Sequence, residues 1–459
     1  MRWVDPWWRS GLALGVLCAC QPLPPRGPVP VEVAAELPRV VVQEDPAASE
    51  VLVQAVVRAG SVHDPSGAEG LAALTAAVMA AGRTGARVAT PGDPSAAVGA
   101  PEVVVDRELV SLQLRCPAAV ATGCVDRLAD LLAAPEIGEA EVEAMRARAL
   151  AGLAEGVGDG PGLAAELLDA WIHEGHAYGH PVAGRTGVLP VLDLDRVRAF
   201  RAERYVRETT VLGLGGPVTP PLLERLSARS AGLVPRRAPE VPLMRPVRGG
   251  PTEVLAVATG GSQVDVVLGH AVGVRPGSVE AVALALALAT LDADAAGLLP
   301  LDRVGRGAWP TPAEHRRQVA VGLRLPPLPP DAVGPALAAR RDALRGLVAQ
   351  GPDARALASA RVALREALDA RRADPALRLA DAVASVAAGA ERVDVRSALH
   401  ALSDAEVRRA ATQHLRPDAL RIVAVGAVEG LEEALGRAAA PEGRTAAVVH
   451  RRDADGLFR

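Results

Sequence analysis

The 459-residue chain contains no lysine and no asparagine, and only two phenylalanines and two tyrosines. All 50 of its basic residues are therefore arginine, set against 54 acidic ones, for a formal net charge of -4. With no basic excess, a nucleic-acid partner or an anionic surface has no electrostatic footing. The missing asparagine excludes N-glycosylation. Aromatic residues make up 2% of the chain, so its core has to be assembled from alanine, valine and leucine through many small contacts. No G-x-S-x-G nucleophile elbow is present, and the Gly-rich pieces LGLGG and GVGDG lack the lysine that a phosphate loop requires. The skew toward arginine and alanine reads as GC-rich codon usage and implies a globular, bacterial-looking protein without indicating its chemistry. Hydrophobic residues reach 49%, enough for two or three domains at about 100–200 residues each.

What is present begins at the N-terminus. Arg2 and Arg9 flank a tryptophan-rich stretch, and an apolar run follows from Gly11 to Ala19. That run is shorter than the roughly 20 residues needed to span a bilayer and has the length of a signal-peptide core. It ends in Leu17-Cys18-Ala19-Cys20, which resembles a bacterial lipobox with Cys20 as the lipidated first residue of the mature chain. Cleavage near Ala19 without lipid is the alternative. Residues 1–19 are then a lipoprotein signal peptide and residues 20–37 a Pro-rich extended tether. The expected location is the bacterial cell envelope, with a lipid anchor at the outer membrane or facing the periplasm. In that oxidising setting Cys116 and Cys124, which bound the loop CPAAVATGC, are either a disulfide or two buried thiols.

From Pro38 two valine-rich strands, LPRVVVQ and SEVLVQAVVRAGS, are separated by the turn Asp45-Pro46. The run from Gly70 to Gly82 is apolar all round, the mark of a buried helix. Residues 107–114 alternate like a half-buried strand, and long Ala/Leu/Glu/Arg helices run from Cys124 to Leu168. The second half repeats this plan. LDLDRVRAFRAERYVRETTVLGLGG aligns with LSDAEVRRAATQHLRPDALRIVAVG at one constant offset, so that Leu192 meets Leu402, Arg198 meets Arg408 and Gly216 meets Gly426. Two α+β domains are expected, residues 38–240 and 241–459, each a mainly antiparallel sheet covered by helices.

The stretch VRAGSVHDPSGAEGLAALTAAVMAAG resembles the active-site region of the pitrilysin–insulinase zinc peptidase family. There a strand ends in an aliphatic-Gly-Ser turn, an acidic-Pro pair follows, and Gly-Leu-Ala opens the helix that carries H-x-x-E-H. Two histidines four apart share one helical face and bind zinc, and the glutamate polarises the metal-bound water. Here the motif positions read Ala73-Leu74-Thr75-Ala76-Ala77, so Ala73, Ala76 and Ala77 replace all three functional side chains. The family's third ligand, a glutamate on a later helix, aligns with Leu153 or Ala154, with Glu155 one step away. The segment from Phe200 to Tyr205 and the loop from His176 to Gly184 match other family features.

The resemblance implies a half-clamshell fold with neither a catalytic residue nor a bound metal of its own. It implies a non-catalytic subunit that pairs as a heterodimer with an active zinc-bearing homologue around a peptide-binding chamber, zinc being held only by the partner. A scaffold or peptide-binding lipoprotein without a protease partner is the second reading, as for family members in respiratory complexes. A peptidase with a metal relocated to His173, Glu174 and His176, near His180, is the third. In active relatives the second domain supplies an Arg and a Tyr that touch substrate; Arg303 or Arg306 is the candidate for the first here, and Trp309 for the second.

Overall fold

The valine-rich runs flanking Asp45-Pro46 lie in one sheet with a later strand between them, and each buries almost every side chain it carries. In the computed structural model, residues 29–31, 38–81, 83–84, 98–133, 135–156, 160–239, 250–275, 277–291, 319–389, 393–440 and 444–453 are described. The first half runs β1 (Val29–Val31), β2 (Arg39–Glu44), β3 (Glu50–Val57), α1 (Leu71–Ala81), β4 (Arg83–Thr84), β5 (Glu102–Val105) and β6 (Val110–Pro117). It continues through α2 (Ala121–Ala133), β7 (Pro135–Glu136), α3 (Glu139–Gly156), α4 (Gly160–Ile172), α5 (Leu194–Arg204), β8 (Thr210–Gly216) and α6 (Pro220–Ser230). The second half comprises β9 (Glu253–Ala258), β10 (Val264–Val272), α7 (Val279–Ala289), β11 (Val319–Arg324), α8 (Pro330–Gln350) and α9 (Ala354–Ala373). It closes with α10 (Pro375–Ala388), α11 (Val395–Ala401), α12 (Asp404–His414), β12 (Arg421–Gly426), α13 (Glu432–Ala438) and β13 (Val448–Asp453).

Each half builds its own sheet, in the order β1-β2-β8-β3-β6-β5 and β11-β10-β12-β9-β13. In the first sheet only β2 and β8 run parallel. In the second, β9 has a parallel neighbour on each side, β12 and β13, and the other pairings are antiparallel. The architecture is α+β, two helix-covered sheets, as the repeat suggests. Equivalent positions do equivalent work in the two halves. Asp193 caps α5 by accepting from Arg196 N–H at 2.9 Å, and Ser403 caps α12 in a capping box with Glu406. β8 and β12 both end in a glycine with positive φ, Gly216 at 100° and Gly426 at 127°. A Cβ there would overlap the carbonyl oxygens of Glu50 and Gln263, so the aligned glycines share one physical cause.

Two sequence expectations are corrected. The Pro-rich segment is not free along its whole length, because Val29–Val31 pairs antiparallel with β2 from Val42 back to Val40. Pro30 is tolerated there because β1 lies at the sheet edge and needs no second ladder. The alternating segment from Arg107 becomes a strand only at Val110. Before it, the Asp106 carboxylate accepts from the N–H groups of Glu108 and Leu109 at 2.8 and 2.6 Å and folds these residues into a turn.

The first core gathers α1, α2 and α5 against one sheet face, and the second gathers α7, α8, α9 and α12 in the same way. Each sheet's opposite face is covered by a helix of the other half, α10 on the first sheet and α4 on the second. Cys116 at the end of β6 and Cys124 in α2 form a disulfide, with Cα atoms 6.6 Å apart, inside the first core. Arginine closes several helix ends. The Arg201 guanidinium donates to Leu132 and Ala133 carbonyls at 2.9 and 2.7 Å, and Arg341 to those of Ala438 and Ala440 at 2.7 and 3.0 Å. Among the described residues no helix is long and apolar enough to cross a membrane.

Candidate functional site: a helix stripped of its metal ligands

The chain leaves β3, makes a single 3-10 turn over Ser61–His63, and reaches α1 under the control of Asp64. Its two carboxylate oxygens accept from Gly70 N–H at 2.8 Å and Ala72 N–H at 2.7 Å, tying down amides that open the helix. Burial outweighs those two hydrogen bonds and pushes the Asp64 carboxyl up to about 8. Gly70 sits at φ 97°, and a Cβ on it would stand 2.6 Å from the Cα of Gly184. The Gly that opens the helix and the Gly that ends the 176–184 loop therefore meet backbone to backbone. The two motif segments, far apart in sequence, form one structural unit.

The residues aligned with the motif, Ala73, Ala76 and Ala77, lie on α1. Ala73 and Ala77 are partly exposed, while Ala76 is fully buried. A spacing of four places Ala73 and Ala77 on one side of the helix. Three methyl groups offer no lone pair to a metal and no base to a water molecule. Leu153 on α3 is buried in the same apolar cluster as Leu74 and Ala76, whereas Ala154 and Glu155 face solvent. Of the three aligned residues only Leu153, an isobutyl group, turns into the core, and Glu155 lies off that face.

The histidine tract near α4 serves a different purpose. His173 is buried, with Nδ1 2.9 Å from the Asp169 carbonyl oxygen and 3.3 Å from its carboxylate. The Asp169 carboxylate also holds the Arg107 guanidinium at 2.6 Å, and Arg107 Nε donates to the Tyr178 carbonyl at 2.6 Å. The Tyr178 hydroxyl donates to the Glu108 carboxylate, and Tyr178 N–H donates to His176 Nδ1 at 3.0 Å. Glu174 points to solvent. His180 has its imidazole held below the usual range by burial, with Glu69 opposing that shift. His173, Glu174 and His176 do not converge, and among the described residues no three His, Cys, Asp or Glu side chains are placed to hold a metal. The network clamps the 173–184 loop onto the turn before β6, and so onto the start of α1.

Sequence reasoning missed Arg107, Glu108 and Asp169 as members of this network. Arg107 and Glu108 looked like the first residues of an alternating strand, and Asp169 fell just past the last residue read as helical. Cys20, Arg303 and Trp309 lie outside the described residues.

Residues 39–157 match the family model described as Insulinase (Peptidase family M16). No curated protein matches the chain. Among solved structures, an inactive peptidase M16 domain from Pseudomonas fluorescens shares 18% identity at a TM-score of 0.72, over 87% of this chain and 98% of that one. A protease from Helicobacter pylori gives 12% identity and a TM-score of 0.69, over 87% and 99% of the two chains. A chain of complex III2 from Candida albicans, solved with Inz-5 bound, gives 15% and 0.66 over 86% and 94%. At such identities these likenesses establish the fold alone. The matched segment includes β2, β3, α1 and all of α3, the elements that surround the three alanines; over it the chain resembles the insulinase family, with Ala73, Ala76 and Ala77 at the positions of H-x-x-E-H.

Proposed function

We propose that this protein is the non-catalytic subunit of a two-chain zinc peptidase, supplying one wall of a peptide-binding chamber while a homologue carries the metal. The carrying observation is the contrast between a complete two-sheet fold and a helix α1 that has alanine at every functional motif position, with Leu153 at the third. The Asp64 cap, the Gly70–Gly184 contact and the Arg107 clamp surround that helix, so a well-tied frame holds side chains that carry no chemistry. A lipid at Cys20 would hold the subunit in the bacterial cell envelope, as the lipobox suggests. The experiment mixes the purified chain with an H-x-x-E-H homologue from the same genome. Alone it takes up no stoichiometric zinc and cleaves no peptide; together the two co-elute and show chelator-sensitive cleavage. Chelator-sensitive cleavage by the lone chain, or no association with any zinc-bearing homologue, defeats the proposal. The Cys20→Ala variant should fractionate as soluble protein when the wild type fractionates with membranes. The likeness to a chain of complex III2 favours a second reading, a scaffold without a protease partner. Recovery of the native protein in an assembly with no peptidase subunit would select it.

A further inference from the structure

The two halves are joined by more than their connecting segment. α4, encoded in the first half, lays Leu163, Ala164, Leu167, Leu168 and Ile172 on the second sheet. They meet Leu255, Val257, Val267, Ala320, Val423 and Val425 there. α10, encoded in the second half, returns the arrangement, with Ala376, Leu379, Val383 and Ala387 on Val41, Leu52, Val56 and Val211 of the first sheet. The seat of α10 is made by glycine. A Cβ at Gly213 would come within 2.6 Å of Val383 Cγ2, and one at Gly215 within 3.3 Å of Leu379 Cδ2. Polar contacts cross in both directions as well. Gln43 Nε2 donates to the Pro375 carbonyl at 3.4 Å, and Arg324 donates to the Pro161 carbonyl at 3.0 Å. At the rim Trp171 meets His450 edge-on at 6.0 Å and lies 5.0 Å from the Arg421 guanidinium.

We propose that this reciprocal exchange of helices, and not the covalent connection around residues 240–249, holds the halves together, so that the folded chain is one rigid body that survives a cut there. Each half presents a helix whose apolar side fits the other half's sheet and a sheet face that is bare without the other half's helix. Pulling the halves apart exposes two separate apolar contacts at once, and neither can be broken while the other guides it back. The partner each surface fits is therefore the other half of the same chain.

The test uses the full chain with a site-specific protease sequence placed within residues 240–249. Cut after folding, the protein should elute under native conditions as a single particle near the intact 47.1 kDa, with one cooperative thermal transition. Elution as two separate halves, or two resolved transitions, overturns the proposal. The Gly213→Leu variant, cut in the same way, should dissociate at protein concentrations about 100-fold higher than the wild type does, because α10 can no longer seat. If Gly213→Leu does not fold, the paired truncation Leu379→Ala and Val383→Ala replaces it. A cut variant that stays together as tightly as the wild type would show that the exchanged helices are not the adhesive, and would equally overturn the proposal.

Discussion

Histidines placed at 73 and 77 would stand one helical turn apart on the partly exposed side of α1, as a zinc pair requires. The double variant Ala73→His/Ala77→His should therefore gain one bound divalent cation per chain by equilibrium dialysis, where the parent gains none. Binding should be weak, because Leu153 brings methyl groups rather than a carboxylate to the third position. A folded double variant that takes up no metal would show that these alanines do not occupy the ligand positions. His270 permits a second prediction at the same scale. Its ring is buried on β10, with Nε2 accepting from Arg416 N–H at 3.1 Å and Nδ1 donating to the Ala271 carbonyl at 2.9 Å. Burial pushes the imidazole down to about 4, from the ordinary 6.5. The folded state thus prefers the neutral ring. This contribution is complete above pH 6.5 and is lost as pH falls toward 4, to a total of about 3 kcal/mol. His270→Gln keeps an acceptor for Arg416 and removes the titration. Denaturant midpoints at pH 7.5 and pH 4.5 should fall less for the variant than for the wild type, and equal falls would refute the assignment.

At the scale of elements, the disulfide between Cys116 and Cys124 fastens the end of β6 to α2. Closing so short a loop restricts the unfolded chain by about 2.5 kcal/mol. The Cys116→Ser/Cys124→Ser variant, or the reduced wild type, should lose roughly that much in chemical denaturation. No loss on reduction would mean that the bond constrains nothing in the unfolded chain. The elements that the sequence reveals are those whose pattern is set by burial. α1 is apolar all round because every side of it is covered or nearly so, and the helix–strand units around Gly216 and Gly426 repeat because both glycines meet the same carbonyl overlap. Other features leave no such imprint. The alternation in residues 107–114 runs straight through the turn that Asp106 caps, since a capped turn and a strand can carry the same side-chain pattern. β1 hides in a Pro-rich stretch because an edge strand of three residues needs only one ladder. The absence of ligands on α1 is legible from the motif alone. Which of Leu153 and Ala154 turns inward is not, because that depends on which side of α3 faces the core.

For the molecule as a whole, both sheets finish with a short or late strand beside the first strand of their half's core. β1 covers the open side of β2, and β13 covers that of β9. Unpaired edges rich in valine invite pairing with other chains. A chain beginning at Pro38 lacks β1 and leaves the edge of RVVVQE bare. It should scatter more light on concentration than one beginning at Gln21, and indistinguishable scattering would count against β1 as a cover. The two covers differ in when they become available. A polypeptide emerges N-terminus first from a ribosome or an export channel, so β1 is already present when β2 arrives. β9 has to wait for almost the entire second half before β13 can reach it. The dangerous interval in this protein's life is therefore late and one-sided: until β13 arrives, the edge of Val254–Val257 is open to any neighbour, and a transcript that stops short of β13 would release chains in which that interval never closes.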